Sequence, residues 1–148
     1  MTLLTGINHV AVMTDDLERF VSFYVDVFDA EVIFEEATPA FSHAMIRVGH
    51  ACVLHGVDQP GNQHSRGLPA MLGRGHLDHL GLNAASQEAF DEIRARLCRH
   101  GASDGAVYDL GPQLSTWFTD PDGMAGEVCW NRNPALDGFH APVPLRTP

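Results

Sequence analysis

Two histidines and one glutamate stand where a metal ion could use them. His9 lies in IleAsnHisValAlaVal (7–12) and His79 in HisLeuAspHisLeuGlyLeu (76–82), while Glu127 follows AspProAspGly (120–123) in GlyGluValCysTrp (126–130). Alternating apolar residues mark both histidine segments as strands. Val10 and Val12, and likewise Leu80 and Leu82, must face a helix layer, so His9 and His79 face the other way. AspProAspGly suits a type I turn. After it, Glu127 and Cys129 share one strand face and Val128 and Trp130 the other, which places Glu127 with the histidines. Two imidazoles and a carboxylate on rigid strands, with positions left open, match the donor set of non-haem iron centres. Fe2+, Mn2+, Ni2+, Co2+ and Zn2+ all suit such donors.

The elements that must position these residues occur twice. After the strand at 7–13, Asp15 or Asp16 caps a helix whose stripe is Leu17, Phe20, Val21, Tyr24 and Phe28. Three β-like runs come next at 30–36, 41–48 and 51–57, parted by Thr38-Pro39 and Gly49-His50, giving β-α-β-β-β. In the second half, a strand at 76–83 is followed by Ser86 as a cap and a helix stripe of Phe90, Ile93 and Leu97 running to Gly101. Strands around Val107, at 116–119 and at 126–130 complete it. A shift of 70 residues carries His9-Val10-Ala11-Val12 onto His79-Leu80-Gly81-Leu82, Asp16 onto Ser86 and Phe20 onto Phe90, which marks an internal duplication. The expected organisation is one domain over 1–148. Module one spans about 5–57, a Gly- and Pro-rich linker 58–75, module two about 76–132, and a Pro-rich tail 133–148 that cannot form a core strand or helix.

Composition narrows the chemistry. All nine basic residues are arginines, which removes Schiff-base chemistry and a P-loop lysine. A net charge of −10 without a basic cluster argues against nucleic acid or an anionic membrane as partner. No apolar run approaches the roughly 18–20 residues of a membrane span, and the start lacks a secretory pattern, so a cytoplasmic location is expected. Cys52, Cys98 and Cys129 are an odd number without CxxC spacing, which points away from disulfides and zinc knuckles.

GlyIleAsnHisValAlaVal, AspLeuGluArgPheValSerPheTyr, GlyHisLeuAspHisLeuGlyLeu and AspProAspGlyMetAlaGlyGlu resemble the vicinal-oxygen-chelate superfamily over residues 5 to 132. That superfamily includes glyoxalase I, fosfomycin-resistance proteins, extradiol dioxygenases and bleomycin-binding proteins. The resemblance implies an α+β fold: two βαβββ modules forming an eight-stranded, U-shaped mixed sheet, helices on the convex face and the metal in the cup. His9, His79 and Glu127 fall on the superfamily's ligand positions. Glyoxalase I-like members carry a fourth ligand in the closing strand of module one, and matching Gly49 to Gly123 puts Val53 there.

That vacancy favours a dioxygenase-like, three-ligand site that cleaves a catechol-type substrate; glyoxalase-like lyase or isomerase chemistry on a small bidentate oxygen compound stands nearly level with it. His55, two residues on, is a fourth ligand or an acid/base, and Tyr108 a proton donor to substrate. One of Trp117 and Phe118 should line the cup. His43, His50, His64, His76, His100 and His140 read as surface residues. A homodimer with shared cups is expected. The competing class is a metal-free binding protein of the bleomycin-resistance kind holding a small cationic ligand.

Overall fold

Asp16 starts the first helix because its carboxylate accepts the backbone N–H of Arg19 at 3.0 Å, satisfying a donor that the first turn leaves open. In the computed structural model, which describes residue 3 and residues 7–62, 77–132 and 138–145, this helix, α1 (Leu17–Phe28), buries Leu17, Phe20, Phe23, Tyr24 and Val27. It ends at Asp29, whose left-handed φ of 52° closes the last turn onto Tyr24 O. The strands around it are β1 (Val10–Thr14), β2 (Glu31–Ala37), β3 (Ser42–Val48) and β4 (Cys52–Asp58). They form a sheet in the order β1-β4-β3-β2, with β1 and β4 parallel and the other pairs antiparallel. Ala44, Ile46 and Leu54 are fully buried on the side that α1 covers. Complete burial of one such side chain as Ile46 or Leu54 contributes roughly 1.5–3 kcal/mol.

The second module repeats the plan. Ser86 caps α2 (Gln87–Arg99) through the Ala89 N–H at 3.1 Å, and Phe90 and Leu97 are its buried anchors. Its strands are β5 (His79–Asn83), β6 (Val107–Asp109), β7 (Gln113–Thr119) and β8 (Ala125–Asn131), joined by β9 (Val143–Leu145) from the tail. The order is β5-β8-β7-β6-β9, with β5 and β8 parallel. Chain contacts divide the protein into two compact units, Met1–Gly67 and Leu68–Pro148, one per module. Two mixed sheets and two helices give the expected α+β class and the paired βαβββ modules.

Several boundaries differ from those expected. His9 stands one residue ahead of β1, and β7 begins three residues before the Thr116 expected, because Gln113 and Leu114 pair with Asn131 and Trp130. The tail contributes a ninth strand, exposed throughout. Pro144, which lacks an N–H, is tolerated there because β9 lies at the sheet edge. Arg132 holds the neighbouring turn by bonding both carboxylate oxygens of Asp109 at 2.7 Å. Most of the expected linker, with His64 and His76, and tail residues 133–137 and 146–148 lie outside the described residues. Among the described residues no helix is long and apolar enough to cross a membrane.

Close packing on β8 depends on a glycine. Gly126 sits beside Glu127, opposite Phe118, and a Cβ there would fall 2.1 Å from the Phe118 ring. Only glycine lets that ring lie across β8. Gly81, on β5, has open space where its Cβ would stand. Gly126→Ala should therefore lower stability by about 1–3 kcal/mol through overpacking, and Gly81→Ala should change it by no more than about 0.5 kcal/mol, both read from urea unfolding midpoints.

Candidate metal centre

In the second module, strand register places the chemistry. Gly81 pairs with Glu127 and Glu127 with Trp117, so these positions share one face, while Val128 and Phe118 alternate into the core. His79 Nδ1 lies 2.8 Å from Asp78 Oδ2, and its Nε2 lies 3.6 Å from Glu127 Oε2. A carboxylate only accepts hydrogen bonds, so in the neutral ring Asp78 draws the proton to Nδ1 and leaves Nε2 with a bare lone pair. The 3.6 Å separation is too long for a hydrogen bond. It suits two donors to one ion, since atoms about 2.1 Å from a common centre and tetrahedrally disposed stand roughly 3.4 Å apart.

Glu127 is braced from behind. Ser115 Oγ donates to its Oε1 at 2.5 Å, which leaves Oε2 turned to His79. The Trp117 ring meets the His79 ring edge-on, centroids 5.1 Å apart. Burial, then the adjoining Glu127 charge and its hydrogen bond, push the Cys129 thiol up to about 12, so it stays protonated and unreactive. Tyr108 lies within β6, and its pairing with Ser115 puts it on the Glu127 face, half-buried.

The first module carries a matching half. His9 Nδ1 lies 2.8 Å from Asn8 Oδ1, as His79 does from Asp78, and the same 70-residue shift relates the two pairs. Ala11 pairs with His55 as Gly81 pairs with Glu127. His55, not Val53, is therefore the module-one counterpart of Glu127, which corrects the glycine-based match. Gly49 is the first residue of its three-residue turn (49–51, between paired Val48 and Cys52), whereas Gly123 is the last of the equivalent turn (121–123, between Asp120 and Met124). Matching glycine to glycine shifts the strand by two. The position whose vacancy favours a dioxygenase is in fact filled.

His43 joins this half-site and is half-buried, not the surface residue expected. Its Nδ1 lies 2.8 Å from His55 Nε2, and its Nε2 lies 3.2 Å from Glu36 Oε2. Phe34 and Phe41 pack on its ring at centroid distances of 5.2 and 5.0 Å. The His9 and His55 rings stand 5.9 Å apart, edge to face. Burial first, then His43 and His9, hold the His55 pKa below the usual histidine value. The signal for His43 lies in strand parity: Ala44 and Ile46 point into the core, so His43 shares the other face by the rule that places His9.

Phe118 is buried, so Trp117 is the aromatic on the Glu127 face. His50 is exposed, His100 ends α2, and His140 lies 3.8 Å from Asp109, none of them in either half-site. An acidic cleft of about 370 Å³ lined by Asp15, Asp16, Glu18, Glu35, Glu36 and Asp58 contains no imidazole and meets the module-one half-site only through Glu36. Among the described residues no three His, Cys, Asp or Glu side chains already converge within one metal-binding distance. The geometry supplies a pair in module two and its counterpart in module one.

Duplicated βαβββ modules, each with a histidine at the start of its first strand and a polar side chain at the matched position of its closing strand, define a scaffold suited to a small-molecule centre. The chain belongs to the Glyoxalase/Bleomycin resistance protein/Dioxygenase superfamily, whose model matches residues 6–128. Among solved structures it is similar to a glyoxylase/bleomycin resistance protein/dioxygenase domain from Frankia sp. EAN1pec, with 22% identity over 87% of this chain and 99% of that one and a TM-score of 0.76. It is also similar to a mutant of the fosfomycin resistance protein FosX from Listeria monocytogenes, complexed with Mn(II) and 1S,2S-dihydroxypropylphosphonic acid (18% identity, 85% and 92% of the chains, TM-score 0.63). A lactoylglutathione lyase from Agrobacterium tumefaciens aligns at 22% identity over 91% and 100% of the chains, with a TM-score of 0.60. No curated protein matches the chain in sequence. These similarities establish the fold.

If Asp78 sets the ring of His79, nitrogen-15 NMR of the metal-free protein should find the proton on Nδ1, the form that an unconstrained histidine side chain disfavours. Asp78→Ala should return His79 toward the Nε2–H form. Nε2–H in the wild type would remove the basis for a preset ligand.

Proposed function

We propose that the protein is a metal-dependent enzyme acting on a small substrate that chelates through two adjacent oxygens, with His9, His79 and Glu127 as the metal ligands. The observation that carries this reading is the Asp78–His79···Glu127 arrangement, an oriented imidazole facing a braced carboxylate at 3.6 Å. A divalent ion held there supplies a Lewis acid that polarises a chelating oxygen. Fe2+, Mn2+, Ni2+, Co2+ and Zn2+ suit the donors, and the Mn(II) complex of the FosX relative makes Mn2+ the first choice.

The chain's own groups do the rest. Asp78 and Asn8 orient the two imidazoles, Ser115 holds Glu127, His55 accepts a hydrogen bond from a substrate hydroxyl, and Tyr108 donates one to a substrate oxygen. With His55, not Val53, as the counterpart of Glu127, isomerase or lyase chemistry on a hydroxyl-bearing substrate fits better than ring-cleaving dioxygenation. A homodimer that completes each centre is the proposed assembly.

Elemental analysis of protein purified without chelator should find one divalent metal per site. His79→Ala and Glu127→Gln should each lower Mn2+ affinity by more than the roughly 10- to 100-fold that loss of an outer-shell partner costs. Oxygen uptake with catechol would restore the dioxygenase alternative. No metal binding, even after anaerobic reconstitution, would leave a metal-free binding protein whose acidic surface favours a cationic ligand.

A further inference from the structure

The two modules share more than ligand positions. Pairing of Met45 with His55 and of Trp117 with Glu127 makes His43 the counterpart of Ser115. Each of these β-strand residues shares a hydrogen bond with the matched side chain on the closing strand of its own module: Ser115 donates to Glu127, and His43 is joined to His55. The module-one brace is longer by one link, because His43 Nε2 in turn meets Glu36 Oε2 at 3.2 Å. Glu36 is half-exposed on β2, at the edge of the sheet.

The chemistry of that chain gives it a direction. A carboxylate accepts and cannot donate, so in the neutral chain His43 carries its proton on Nε2 and its Nδ1 is an acceptor. The 2.8 Å contact then requires His55 to carry its proton on Nε2, and His55 Nδ1 keeps a bare lone pair. No described residue hydrogen-bonds that nitrogen, and His55 lies on the face away from α1, beside His9. His55 is thus fixed in the tautomer opposite to that of His9 and His79.

We infer that Glu36 and His43 are positioning residues that lock the His55 tautomer and present its Nδ1 as a hydrogen-bond acceptor for the free hydroxyl of a bound ligand. The ligand part rests on the metal-enzyme reading; the tautomer part stands without it. A neutral acceptor held beside His9 selects a ligand that still carries an O–H over one whose oxygens are both ketonic or alkylated.

The test begins with the metal-free wild-type protein labelled with nitrogen-15. Expected are an Nε2–H on His55 and a direct coupling across the hydrogen bond to His43 Nδ1. A proton on His55 Nδ1, with His43 donating to His55, would overturn the inference. Glu36→Ala, at a half-exposed position that should not disturb folding, should mix the tautomers of His43 and His55, and Glu36→Gln, whose carbonyl oxygen still accepts, should restore them. An unchanged coupling in Glu36→Ala would also overturn it. In Mn2+-loaded protein, Glu36→Ala and His43→Phe should weaken catechol binding roughly three- to tenfold, the worth of one neutral hydrogen bond, while Mn2+ affinity stays within about twofold. A collapse of Mn2+ affinity equal to that of His79→Ala would make His55 a metal donor and sink the acceptor role. If the wild type binds no Mn2+, the proposed function fails while the tautomer measurement still decides the roles of Glu36 and His43.

Discussion

Parallel pairing of the first and last strands governs both modules, because it sets one particular side chain beside each first-strand histidine. In module two it places Glu127 opposite Gly81, two residues past His79, where a Cβ would meet open space. In module one the same pairing sets His55 opposite Ala11, a residue with a single methyl. The helices matter to the site indirectly: α1 and α2 bury the alternate residues Leu54 and Val128, and so commit His55 and Glu127 to the other face.

A nearly buried carboxylate with an imidazole and a thiol for neighbours is an unfavourable arrangement unless hydrogen bonds or a cation offset the lost hydration. Glu127 has one strong donor in Ser115, and its other oxygen faces a ring nitrogen that Asp78 deprives of its proton. Arg132, just past the end of the same strand, is engaged with Asp109 instead. The half-site in module one is less demanding. Its acceptor is neutral, and its brace runs outward to a solvated carboxylate.

Much of this is legible in the sequence, and the limits have physical causes. Apolar alternation marks the strands that carry His9, His79 and Glu127 to within a few residues, and the caps Asp16 and Ser86 are plain from residue type. The duplication exposes the two histidines, yet Asn8 and Asp78, at the same spacing, do not stand out because an amide and a carboxylate before an apolar strand look like ordinary surface. His43 is hidden for the same reason. A glycine-to-glycine match misplaces His55 by two because turn glycines answer to local backbone conformation: Gly49 and Gly123 have φ of 67° and 86° at opposite ends of their turns. Strand register, which answers to pairing, is the sounder guide. β9 cannot be read from its own residues, since its pairing with β6 depends on chain far from it in sequence.

The charge balance of the proposed centre separates it from the bulk of the molecule. The chain as a whole carries a net charge of −10, which at long range attracts cations and repels anionic substrates. That field is screened beyond about 8 Å at physiological ionic strength, so it bears on encounter more than on the bound state. Within the centre, two neutral imidazoles and one carboxylate would leave a divalent ion with net positive charge, and the neutral His55 adds no second carboxylate to cancel it. The two modules thus diverge in charge at one matched position of the strand register, with glutamate opposite Gly81 in one and histidine opposite Ala11 in the other.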